Sequence, residues 1–155
     1  MITRSDRGTR WVVVQMALLA ALAVTAPLSR GGWPALASTV PAALLFLYAV
    51  WTGVAGVREL GRNLTPRPTP KLDGSLVTTG IYARVRHPLY ASLIALGLGW
   101  ALAWSSLPAV ALAIGLAGFL HAKARHEEKI LVRIFHSYFD YMTRVPRYVP
   151  RLPQR

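Results

Sequence analysis

Two short polar clusters in this chain have the residue types and spacing to do chemistry. The first is Gly80-Ile81-Tyr82-Ala83-Arg84-Val85-Arg86-His87-Pro88-Leu89-Tyr90; the second is Arg125-His126-Glu127-Glu128. Between them they offer the Arg86 guanidinium, the His87 imidazole, the Glu127 and Glu128 carboxylates and the Tyr82 and Tyr90 phenols. Pro88 fixes the backbone directly after the imidazole. Such a set either converges on one polar site or is structural, with Arg86 reaching a lipid phosphate, Tyr82 and Tyr90 in an interfacial aromatic belt, and Glu127 and Glu128 neutralising Arg125 and Lys129 on a solvated face. Other chemistries are excluded or disfavoured. The chain has no cysteine, so it has no disulfide, thiolate metal site or cysteine nucleophile. His121 and His126 do not share a helix face well, and His126-Glu127-Glu128-Lys129-Ile130 is not the His-Glu-x-x-His zinc pattern, so no metal is expected. Gly-x-Gly-x-x-Gly, Walker and nucleophile-elbow motifs are all missing.

The elements that must position these clusters are apolar. Of the 155 residues, 54% are hydrophobic and 15% charged, with 18 basic against 6 acidic side chains, net +12. Soluble domains carry roughly 25% charged residues, so the balance points to a membrane protein and away from a disordered basic tail. Four apolar runs are expected to cross the bilayer, at 11–28, 35–57, 88–104 and 107–123. Ser105 and Ser106 join the last two into a tight hairpin, with Pro108 at the start of the returning helix. The expected architecture is therefore all-α, a single membrane-embedded domain over 1–155. A polar loop occupies 58–87, and a C-terminal segment, 124–155, carries an amphipathic helix. In the loop, Pro66, Pro68, Pro70 and the Asp73–Gly74 turn give it irregular chemistry, and its length predicts a functional role. In the C-terminal segment, Ile130, Leu131, Ile134, Phe135 and Tyr138 repeat at helical spacing until Val145–Pro146.

The charges then sort themselves. With four crossings, every basic residue except Arg30, and all six acidic ones, fall on one side. The positive-inside rule makes that side cytoplasmic, with both termini there. Topology thus explains the high pI, and no nucleic-acid partner is expected. The hairpin brings the start of the third run beside the end of the fourth, so the two polar clusters meet at the cytoplasmic membrane surface.

At these residues the chain resembles the superfamily of isoprenylcysteine carboxyl methyltransferases and phospholipid N-methyltransferases. The resemblance rests on Gly80-x-Tyr82-x-x-x-Arg86-His87-Pro88-x-Tyr90, a helical hairpin, and Glu127-Glu128-x-x-Leu131-x-x-x-Phe135 followed by Tyr138, Tyr141 and Arg144-Val145-Pro146. Asn63-Leu64-Thr65-Pro66 and Leu76-Val77-Thr78-Thr79-Gly80 also look like its bacterial members. It covers roughly residues 60–150. The resemblance implies an integral membrane enzyme that encloses S-adenosylmethionine without a Rossmann domain. It implies cofactor contacts for Tyr82, His87, Pro88, Tyr90, Glu127, Glu128, Leu131, Tyr138 and Tyr141. Arg86 and Glu127 are the implied catalytic pair, with Arg86 facing the acceptor. In place of the family's Phe-Gly-x-x-Tyr the chain has Phe135-His136-Ser137-Tyr138, one residue fewer. On a continuous helix that deletion turns Tyr138 and Tyr141 by about 100°.

The expected function is S-adenosylmethionine-dependent methyl transfer to a lipophilic or small acceptor, entering from the membrane lipids. An NADPH-dependent membrane reductase is the alternative enzyme. A non-catalytic four-helix protein or transporter is the other; for transport, no Asp, Glu, Lys or Arg lies within the uncharged cores of the runs.

Overall fold

The computed structural model describes residues 4–34, 36–65 and 75–150. The proline-rich stretch with the Asp73–Gly74 turn therefore lies outside the described residues. The chain is all helical, with no strand among the described residues. Four long helices, α1 (Arg4–Leu28), α2 (Leu36–Leu60), α3 (Pro88–Ala103) and α4 (Leu107–Ile134), are followed by a short α5 (Tyr138–Arg144). Single 3-10 turns, Gly61–Asn63 and Gly80–Ala83, flank the polar loop. Three helical stretches, Gly8–Leu28, Leu36–Asn63 and Leu107–Ile134, are long and apolar enough to cross a membrane. With its 16 residues α3 is shorter, about 24 Å against a hydrocarbon core of about 30 Å. This is a membrane protein with three candidate spans and a shorter apolar helix packed among them.

Small side chains set the packing. Ala91, Ala95, Gly97, Gly99 and Ala101 are buried on α3, and Ser38, Ala42, Ala49, Thr52 and Gly56 on α2. These faces meet over most of their length. A Cβ at Gly53 would lie 2.7 Å from Ser92 Oγ, and one at Gly56 would lie 3.0 Å from the Leu89 side chain. The two glycines therefore allow α2 to approach the start of α3, as small residues do where helices cross in membranes.

The hairpin at the far end is built as its sequence predicts. Ser106 caps α4 by accepting from the Ala109 N–H at 3.2 Å. Ser105 takes a left-handed turn with φ of 50°. The Ser29 and Ser106 hydroxyls pair at 2.6 Å, tying the end of α1 to the same turn. At the opposite end Trp11 stacks on His126, with centroids 5.6 Å apart, so the beginning of α1 stands beside the foot of α4.

The C-terminal segment departs from the expected single amphipathic helix. The fourth helix runs unbroken from the hairpin to Ile134, eleven residues past the expected end of its run. Phe135 then turns extended and its N–H closes the last turn on Leu131 O at 2.8 Å. A new helix starts at Tyr138. The missing residue is thus taken up in the break at 135–137, and the expected 100° turn of Tyr138 and Tyr141 does not apply: both are buried.

Candidate active site

The start of α3, the foot of α4, α5 and the residues on either side of the polar loop surround one cavity that is open to solvent. Its polar wall holds Tyr82, Arg86, His87, Tyr90, Glu127, Tyr138 and Tyr141, with Asn63 and Ser75 at its mouth. Its apolar wall holds Leu60, Leu76, Val77, Leu89, Leu131 and Phe135. The polar loop thus contributes directly to the cavity through its described residues. Asn63 closes the base of that loop, its Nδ2 donating to Ser75 Oγ at 3.3 Å while its Oδ1 accepts from the Ser75 N–H at 3.4 Å.

The two adjacent glutamates have different surroundings. Glu127 lines the cavity and accepts at Oε2 from the Tyr90 hydroxyl at 2.7 Å. Tyr90 in turn lies flat on His87, with ring centroids 5.2 Å apart and 4° between planes. Lys123, one turn before Glu127 and 1% exposed, places its Nζ over the Tyr90 ring, 5.3 Å from the centroid, and donates to Gln15 Oε1 at 2.7 Å. The Tyr90–Glu127 pair is therefore held from α1, α3 and α4 at once.

Glu128 does not line that cavity. Its Oε1 accepts from Arg86 Nη2, His87 Nε2 and Arg147 Nε, each at 3.1 Å, and its Oε2 accepts from Arg147 Nη2 at 2.6 Å. The Arg86 and Glu128 side chains are 8% and 6% exposed. A carboxylate engaged by three basic side chains within the protein has little capacity left for a bound molecule. The placement thus differs from the cofactor contact expected of Glu128. Pro88 likewise lies outside the cavity lining, buried at the first turn of α3.

Arg86 reaches the cavity wall, and four donor bonds tie its guanidinium inside the protein. Nη1 donates to Val145 O at 2.5 Å and to Met142 O, while Nε and Nη2 face Glu128. Those two carbonyls belong to the end of α5, where last-turn carbonyls lack helical partners. The backbone repeats the tie: the Arg86 N–H donates to Pro146 O at 2.9 Å and the His87 N–H to Arg147 O at 3.0 Å. The segment 145–148 is thereby strapped across the start of α3, and the Tyr48 hydroxyl holds it from α2 through Tyr148 O. Arg86 is thus a clamp on the strap as well as part of the cavity wall.

The remaining expected residues are brought together. Tyr82, His87, Tyr90, Glu127, Leu131, Tyr138 and Tyr141 all line the cavity. Tyr138 and Tyr141 meet edge to face at 5.6 Å. Tyr141 donates to Tyr82 O at 2.6 Å, which ties α5 to the 3-10 turn Gly80–Ala83. Gly80 starts that turn with φ of 54°, and a Cβ there would collide with the Glu59 carboxylate that the Thr79 hydroxyl engages. Burial pushes the Tyr141 phenol up to about 12. It raises Tyr82 and Tyr138 as well, with Glu127 adding to the first and Glu128 to the second. These phenols are therefore neutral donors at physiological pH. Tyr141→Phe leaves a buried carbonyl without its partner, and should cost about 1 kcal/mol in thermal unfolding; an unchanged midpoint would remove this bond from the supports of α5.

Arg147 escaped sequence reasoning although it makes the shortest ion pair among the described residues, 2.6 Å to Glu128. The available signal was its position after Val145-Pro146, since a helix ends at or before the residue preceding a proline and Arg147 must then lie beyond α5. Asn63 belonged to a motif already noted, but its role at the loop base depends on Ser75.

Comparison with known proteins agrees with this geometry. Residues 37–138 match the family model described as phospholipid methyltransferase. The chain is 31% identical over 138 residues to the cobalt-zinc-cadmium resistance protein CzcN of Cupriavidus metallidurans, covering 79% of this chain and 63% of the relative. It is 42% identical over 79 residues to the nickel-cobalt-cadmium resistance protein NccN of Alcaligenes xylosoxydans xylosoxydans, covering 50% of this chain and 37% of the relative. The chain thus spans less than two thirds of the length of these curated relatives. By the extent of the family match, this chain belongs to the phospholipid methyltransferase family, within the superfamily that also holds the isoprenylcysteine carboxyl methyltransferases.

Proposed function

We propose that the chain is an S-adenosylmethionine-dependent methyltransferase working at the cytoplasmic membrane face on a lipophilic or small acceptor. The observation that carries this reading is the cavity itself: one carboxylate held by a tyrosine, among aromatic rings, beside an apolar wall. The donor set fits the cofactor. Glu127 suits ribose hydroxyls or the methionyl ammonium, and the faces of Tyr82, Tyr138 and Tyr141 suit a sulfonium. When bound, the cofactor supplies an electrophilic methyl group for in-line displacement, a reaction that depends more on positioning than on acid-base work.

This chain's residues do the positioning. Tyr90 fixes the Glu127 carboxylate, and His87 braces Tyr90 from its ring face. Arg86, Glu128 and Arg147 fasten the strap that bounds the site. Leu60, Leu76 and Leu89 offer a lipophilic acceptor its apolar path and keep water from the reacting atoms. The cytoplasmic assignment follows from the basic residues of the loop and the C-terminal segment, which flank the cavity end of the bundle.

Calorimetry on detergent-purified protein tests the reading, with NADPH as control ligand. Micromolar binding of S-adenosylmethionine and S-adenosylhomocysteine, and none of NADPH, is expected. Folded protein that binds neither sulfur ligand would defeat it, and binding of NADPH instead would point to a reductase.

A further inference from the structure

A second concavity lies on the other side of Glu128, between the last turns of α4 and α5. Arg125, Lys129, Arg133 and Arg147 line it together with Val132 and Phe139. Arg125, Lys129 and Arg133 are spaced at i, i+4 and i+8, so they form one stripe on α4, and all three are exposed. The ion pairs among the described residues all converge on Glu128, and none involves this stripe. Glu128, which also lines the groove, is already neutralised by Arg86 and Arg147.

Such a stripe is costly by itself, because like charges one helical turn apart repel. Beside it, Phe139 and Val132 are 58% and 39% exposed. A partner that resolves both features carries negative charge next to apolar surface. The position on the helix narrows the choice further. The uncharged stretch of α4 ends at Ala122, just before Lys123, and Arg125 stands about 4.5 Å and Lys129 about 10 Å beyond Ala122 along the axis. The headgroup layer is about 5–8 Å deep on each side of the hydrocarbon core, and long basic side chains reach further.

We propose that this groove seats the phosphate headgroup of an anionic phospholipid, with Arg125 and Lys129 on the phosphate, Arg133 at its outer edge, and Val132 and Phe139 against the interfacial part of the lipid. The site is distinct from the cavity and independent of the reaction assigned to it.

Thermal unfolding in a neutral detergent tests the proposal. Phosphatidylglycerol is titrated against phosphatidylcholine and against inorganic phosphate. Phosphatidylglycerol should raise the midpoint of the wild-type protein, and the other two should not. Each cation near a lipid surface is worth roughly fivefold in affinity, so the triple variant R125Q/K129Q/R133Q should need at least tenfold more phosphatidylglycerol for the same shift. Its lipid-free midpoint should not fall, since these side chains are exposed and the substitutions remove their mutual repulsion. Should the triple variant not fold, Lys129→Glu serves, with native mass spectrometry counting retained phosphatidylglycerol, which should fall. Equal stabilisation by phosphatidylcholine, a full shift with inorganic phosphate, or an undiminished response in the variants overturns the proposal.

Discussion

Glu128→Ala should be the most destabilising substitution at the cavity end of the bundle. It leaves Arg86, 8% exposed, without its anion, and takes from Arg147 its closest ion pair. Removing one partner of a buried ion pair costs about 3–5 kcal/mol, because the remaining charge stays desolvated and unpaired. In a chain of this size that is a drop of roughly 10 °C in the unfolding midpoint. The consequence is not confined to one contact. Arg86 also holds the Met142 and Val145 carbonyls, so a displaced guanidinium loosens the end of α5 and the strap together. Arg86→Ala should therefore resemble Glu128→Ala in stability, and the double variant should cost less than the sum of the two. The check is the unfolding midpoint of all three in one detergent. Strict additivity would show that the two residues do not act as a unit.

Glu127→Gln should separate function from fold. Glu127 faces the cavity, and its neighbours Tyr90 and His87 are held from several helices, so the unfolding midpoint should move little. The variant loses the negative charge that, in the proposed function, anchors S-adenosylmethionine. Affinity and turnover should each fall at least tenfold, about 1.4 kcal/mol. Calorimetry and a methyl-transfer assay measure the two effects. Wild-type affinity in the variant would remove Glu127 from the cofactor site. The contrast between neighbours is the sharper reading: one glutamate should govern binding and the next one stability.

The amino-acid sequence by itself determined what depends on local composition. Length and apolarity specify spans, so the four helices and the Ser105–Ser106 hairpin were legible before any packing was known. Pro88 and Pro108 mark helix starts because their fixed φ and missing N–H suit a first turn. The hairpin then obliges the two polar clusters to meet, and the motifs within them already carried the family.

Tertiary structure decided the rest, wherever a role depends on which neighbour arrives. Adjacent residues on a helix point about 100° apart, so only one of Glu127 and Glu128 can share the Tyr90 side, and the sequence does not say which. Arg86 sits at the mouth of α3 in any reading, but the carbonyls it caps come from α5, far along the chain. The end of α4 at Ile134 was hidden because no glycine or proline marks it, and that break is what lets Tyr138 and Tyr141 turn inward. Lys123 stands at the end of an apolar run, where composition alone does not mark it as buried. Its burial follows from α1 bringing Gln15 within 2.7 Å of its ammonium, a long-range contact that no local pattern encodes.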